Sequence, residues 1–412
     1  MAEGRACPVG VESGDSQDVT KPVTIELARK VFLRACASLH PADWDGQETL
    51  LRTVDARAWE IVINLAMRHG LLGLVARNLD WAHARTGVPI SILDRARAWR
   101  QRHLVQMLVY RNAARRITEV LAARGVRFVI FKGMALVEQV YRDLSLRTFR
   151  DCDILVERDH LEAAYAILQD FGYSPVQYAS LQEYLVRDKF GANMRHSDGS
   201  SVDLHWAIQG YEMRPSDPEI IWRCCQAPET SQELPGWRMS PELTLINLAS
   251  HFQVHEYEEI KPLVDFYLSA VTLGKRIDID GLRRTARALG MAQTVDVAAR
   301  LCERLFTLHP TVGRLAADSP SPHTRLALSV LTEASLLRLD KIRPTERRLR
   351  GLICYGVISS SAKAFRKMLI PKASELELRF GRRFDLRMYP RYYMVQAYRL
   401  LARSRKPFLD LA

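Results

Sequence analysis

The stretch FVIFKGMALVEQVYRDLSLRTFRDCD, Phe128 to Asp153, decides how the rest of the chain is read. FVIF is a β-branched and aromatic run that suits a buried strand. It ends in Lys132-Gly133, and the spacing of apolar residues turns helical over Met134 to Tyr141. The triplet Asp151-Cys152-Asp153 then leads into a second apolar run, Ile154 to Val156. Two carboxylates at i and i+2 on a strand share a face, with Cys152 turned the other way. Such anions repel each other, and a divalent cation with oxygen ligands relieves the repulsion. As a bare pattern D-x-D is weak, because many such pairs are solvated loop residues.

Two further pieces bear on that triplet. Lys132-Gly133 sits where a strand gives way to a helix. Free backbone N–H groups and a residue without Cβ there let a phosphate come close, and Lys132 adds a point charge. The plain alternative is an ordinary strand-to-helix turn, and the GxxxxGK[ST] loop is absent. Ser201-Val202-Asp203-Leu204-His205-Trp206 reads as another strand, with Val202, Leu204 and Trp206 on one face. Asp203, His205 and Ala207 take the opposite face, which is either a site or the wet side of an edge strand.

Outward from this centre, residues 1–22 are polar and rich in Gly, Pro and Ser, which predicts a disordered tail. Apolar residues at three- and four-residue spacing predict a helical region over 23–124, with one or two long helices in Ile90 to Ala123 closed by Gly125. Residues 125–210 alternate strand, helix, strand, helix and hairpin. Asp159-His160-Leu161-Glu162 has the pattern of a capping box, opening a helix from Leu161 to Asp170. Asp198-Gly199 is a two-residue hairpin signal. Residues 211–340 look helical again, and 341–412 form a basic C-terminal region.

Hydrophobic residues make up 48% and charged residues 26% of 412, the balance of an ordinary globular protein. Seven scattered cysteines without CxxC spacing argue against a disulfide framework or a zinc site and for a reducing cytoplasm. Neither a signal peptide nor a membrane span is expected. The net charge is +12, yet from Lys341 onward 18 Lys and Arg stand against 5 Asp and Glu, a local balance of +13. Basic character thus belongs to the C-terminal fifth. Tyr389, Tyr392, Tyr393 and Tyr398 interleave with arginines there, which suits nucleic acid or, more simply, a solvated helical face.

Strand, small loop, helix, D-x-D, helix and hairpin with a third Asp is an order that resembles the DNA polymerase beta nucleotidyltransferase superfamily. More closely, the chain is similar to the bacterial uncharacterised nucleotidyltransferase family, with Lys132-Gly133, Arg147, Asp151-Cys152-Asp153 and Val202 to Trp206 as the matching residues. Ala66 to Leu72 and the segments around His251 and Lys261 to Asp265 extend the likeness. The resemblance implies an α+β fold, in which a small mixed-sheet core is flanked by helical regions. It implies Mg²⁺, or Mn²⁺, held by Asp151, Asp153 and Asp203, with an NTP as substrate. Lys132, Gly133, Arg147 and His205 would contact the nucleotide. A nucleoside monophosphate would pass to an unknown hydroxyl of a small molecule or protein. A non-catalytic accessory protein and an RNA-directed enzyme are the alternatives. Lys261 and Asp265, one helical turn apart, either face the cleft or form a surface pair.

Overall fold

The structure is a computed structural model describing residues 22–45, 48–86, 88–187, 190–208, 217–228, 234–306, 308–340, 385–391 and 394. Residues 1–21 of the expected tail lie outside these residues, as does most of the basic C-terminal region, whereas Pro22 already opens the first helix.

Five helices come first: α1 (Pro22–Cys36), α2 (Glu48–Arg52), α3 (Ala56–Arg68), α4 (Leu72–Thr86) and α5 (Ile90–Ala123). Asp55 caps α3 by accepting from the Ala58 N–H, supplying one of the partners that a first helical turn lacks. The long apolar periodicity after Pro89 resolves into one continuous α5, and Gly125 just beyond it adopts φ +68°.

A seven-stranded mixed sheet follows: β1 (Phe128–Phe131), β2 (Cys152–Val156), β3 (Ser174–Pro175), β4 (Gly191–Arg195), β5 (Ser201–His205), β6 (Cys225–Gln226) and β7 (Trp237–Met239). The spatial order is β3-β4-β5-β2-β1-β7-β6. β1 runs antiparallel to β2, β2 parallel to β5, and β1 parallel to β7. The fold is therefore α+β with helical flanks. The pair β6–β7 extends the sheet past β1 in a segment that the sequence suggested was helical. Strands of two and three residues show too little alternation to betray themselves.

Between the strands lie α6 (Gly133–Leu136), which widens into a π turn over Val137–Tyr141, then α7 (Leu161–Asp170), α8 (Leu181–Arg187) and α9 (Pro218–Arg223). α7 has the expected bounds, but the capping box does not form. A 3₁₀ turn over Arg158–His160 leads into it, and the His160 ring instead accepts from the Arg127 N–H. The β4–β5 hairpin also differs in detail. His196 and Ser200 close it around three residues, with Gly199 at φ +87°, rather than around Asp198-Gly199 alone.

The C-terminal half adds α10 (Pro241–Val254), α11 (Lys261–Thr272), α12 (Ile279–Ala288), α13 (Ala292–Leu305), α14 (Pro310–Leu315), α15 (Pro322–Val330) and α16 (Glu333–Leu336). α10 is buried on nearly every side and is the axis of this half. The sheet is covered on both faces. Val129, Phe131 and Leu155 pack into a core shared with α1, α3, α4, α10 and α11. Phe128, Ile130, Cys152, Ile154 and Val156 pack on the other face against α5 and α7. Asp153 alternates with Cys152 and Ile154, so it faces the α10–α11 side. Among the described residues no helix is long and apolar enough to cross a membrane, and the five described cysteines are free thiols.

Candidate active site

The parallel register of β2 and β5 sets Asp153 beside Asp203 and Leu155 beside His205. Register partners in adjacent strands share a face about 4.8 Å apart. Val202 and Leu204 point into the core, as expected, and leave Asp203 and His205 on the half-buried face. Ligand atoms of Asp153, Asp203 and His205 all lie within 4.8 Å of one another. Among the described residues this is the group able to hold a metal ion.

Asp153 is buried and carries two contacts on one oxygen. Lys132 Nζ donates to Oδ1 at 2.7 Å, and His205 Nε2 lies 3.2 Å from the same atom. Burial opposes the charge of this carboxylate, but the Lys132 ammonium and then His205 outweigh it and hold Asp153 well below the usual range. Burial likewise works against Lys132, and Asp153, Asp203 and Asp151 together raise its pKa. The His205 ring packs edge-on against Phe131, with centroids 5.1 Å apart. Asn193 on β4, opposite Asp203 across the hairpin, donates its amide to Asp203 Oδ1.

Asp151 stands just before β2 and outside the tight group. Its carboxyl is pushed up to about 7, by burial first and then by the charges of Asp153 and Asp203. Lys132 and Lys261 only partly offset them. Three acids thus act on one another here, with Asp153 held charged by Lys132 and His205 and Asp151 held toward its neutral form by burial and its two neighbours.

Lys132 takes φ 53°, ψ −125°, a left-handed conformation that an L side chain enters at a cost of about 1–3 kcal/mol. The turn therefore aims the ammonium back along the sheet at Asp153. Gly133 is buried. A Cβ there would stand 2.8 Å from Phe149 Cβ and 3.1 Å from Arg147 Nη1, so its missing side chain makes room for these two residues.

Arg147 is buried and bound to Asp265 of α11 through Nε at 2.9 Å and Nη2 at 2.7 Å. Tyr141, at the end of the π turn, donates to the same carboxylate at 2.7 Å. Asp265 is therefore no surface residue. It ties the loop that delivers Asp151 to the helices facing the sheet. Neither Asn193 nor Tyr141 stood out in the sequence. A two-residue turn at Asp198-Gly199 would have set Asn193 against Leu204 instead, and the Tyr141–Asp265 contact spans 124 residues and leaves no local signal. Trp222 and Trp237 hold Arg127 between them, 4.7 and 4.1 Å from its guanidinium, which makes them packing residues. His251 and His255 meet edge to face at 4.4 Å.

No curated protein matches the chain. The profile of a family described as uncharacterised nucleotidyltransferase matches residues 55–307, which take in α3 to α13 and every strand of the sheet, so the chain belongs to that nucleotidyltransferase family.

Proposed function

We propose that the protein transfers a nucleoside monophosphate from an NTP to a hydroxyl of a small-molecule or protein acceptor, with release of pyrophosphate. The observation that carries this reading is the pairing of Asp153 with Asp203 beside the Lys132 turn. The donor set fits a divalent cation. Three carboxylates in one field, one of them pushed up to about 7, call for more positive charge than Lys132 supplies. Carboxylate oxygens suit Mg²⁺ or Mn²⁺. Asp153 and Asp203, with His205 beside them, would hold the first ion and Asp151, just before β2, would help with a second; when bound, the ions would neutralise phosphate charge and polarise the phosphorus under attack.

The chain's own groups do the positioning. Asp203, oriented by the Asn193 amide, accepts the proton of the attacking hydroxyl. Lys132 exchanges Asp153 for a phosphate oxygen as nucleotide enters. Arg147 fixes the loop carrying Asp151 through Asp265, and its Nη1, which Asp265 does not engage, lies beside Gly133 for a phosphate contact. His205 holds Asp153 in place.

The test is incubation with each α-labelled NTP, Mg²⁺ or Mn²⁺ and a cell extract. A labelled product that disappears with Asp203→Asn is expected. Tight Mg–NTP binding with no transfer from any NTP would make the chain a nucleotide-binding accessory protein instead.

A further inference from the structure

Lys261 is the first residue of α11, one turn before Asp265. It is half-buried, and among the described residues it makes no ion pair or side-chain hydrogen bond. Burial pushes its pKa down, and the Arg147 guanidinium adds to that; Asp265, Glu259 and Asp151 act the other way from beyond contact distance. A cation held half out of water beside another buried cation is unfavourable unless an anion joins it. Two other cations of this cleft have such a partner: Lys132 has Asp153, and Arg147 has Asp265.

Its surroundings keep it there. Gly70, at φ +66°, faces the ammonium, and a Cβ on it would come within 3.5 Å of Lys261 Nζ and 3.2 Å of Thr148 Oγ1. Thr148 in turn donates to the Gly70 carbonyl at 2.8 Å, three residues before Asp151. The bidentate Arg147–Asp265 pair fixes α11 against the same loop. The positive end of a twelve-residue helix lies at this point as well, although Pro262 carries no N–H and those of Leu263 and Val264 are bonded to the Ile260 carbonyl.

We infer that Lys261 is a second polyphosphate-binding residue, which takes the phosphate tail of the NTP from the helical side while Lys132 takes it from the sheet. This rests on the nucleotidyltransferase reading and adds to it the group that distinguishes a triphosphate from a monophosphate. The charges of both lysines are felt at Asp151, where each partly offsets the rise in its pKa. A chain of phosphates bridging them would satisfy Lys261 and free Asp153 from Lys132 together.

The experiment is calorimetric titration of the full chain with Mg²⁺ and each NTP, and with the matching NMP, for wild type, Lys261→Met and Lys261→Arg. Lys261→Met should weaken NTP binding about 10- to 100-fold, which is about 1.4–2.8 kcal/mol. NMP affinity should stay within about twofold, and Lys261→Arg should recover most of the loss. An unchanged melting temperature in Lys261→Met separates this from a folding defect. Equal NTP affinity in wild type and Lys261→Met, or an equal loss for NTP and NMP, would overturn the assignment while leaving the nucleotidyltransferase reading intact. A wild-type chain that binds no NTP would remove both.

Discussion

Arg147 and Asp265, 118 residues apart, meet in a two-pronged ion pair at 2.9 and 2.7 Å with Tyr141 on the same carboxylate. Both charges are buried, at 6% and 1% exposure. Burial lowers the pKa of the guanidinium, and Asp265 more than reverses this. Removing one partner strands the other charge in the interior. Asp265→Ala should therefore destabilise the fold by about 3–5 kcal/mol. Urea unfolding checks this, and a loss below about 1 kcal/mol would mean that the pair is solvated.

Lys132 combines a strained backbone with a charge, and two substitutions separate them. Lys132→Gly and Lys132→Ala both remove the ammonium from Asp153, but only glycine relieves φ 53°. The glycine variant should be more stable than the alanine variant by about 1 kcal/mol. Both should lose NTP affinity equally. Urea midpoints and calorimetry on the pair give the two numbers, and equal midpoints would show that the turn stores no strain.

Asp151 makes stability depend on pH. Its carboxyl is raised to about 7 in the folded chain, first by burial and then by Asp153 and Asp203. An unfolded aspartate titrates near ~3.9. The folded state then binds the extra proton between these values. Stability from this group is full below about pH 4 and is lost as pH rises through about 7. Without divalent ions, the melting temperature should fall from pH 5.5 to pH 8 by more in the wild type than in Asp151→Asn. Mg²⁺ should reduce the wild-type drop. The same drop in both proteins would remove Asp151 from the charged group.

Asp203→Asn keeps the shape of the side chain and its place beside Asp153 but cannot accept a proton. Mg²⁺–NTP binding should weaken with one carboxylate lost from the cation but stay measurable, whereas transfer should fall by about 10²–10⁴-fold. Wild-type turnover in this variant would assign the proton to another group.

The alternation in SVDLHW was enough to put Asp203 and His205 on one face, and i, i+2 spacing turned Cys152 away from Asp153. Both follow from a period of two, which a five-residue strand is long enough to display. The partner of Asp203 was harder. A two-residue turn at Asp198-Gly199 would pair Asn193 with Leu204, on the buried face. The observed three-residue turn shifts the register by one and pairs Asn193 with Asp203. One residue of loop length thus decides whether the amide reaches the carboxylate. Arg147 was legible as a residue near the site but not as the partner of Asp265, because that contact depends on how α11 packs on the π turn ending at Tyr141. β6 and β7 escaped because two or three residues carry no periodicity.

The central claim is that Asp153 and Asp203 share a divalent cation with the nucleotide. Its most direct measurement is NTP affinity by calorimetry, once with Mg²⁺ and once with EDTA, for the wild type and for Asp153→Asn. The wild type should bind at least about tenfold more tightly with Mg²⁺, a gain of about 1.4 kcal/mol, and the variant should show no such gain. A variant that keeps the full wild-type Mg²⁺ dependence would contradict the account.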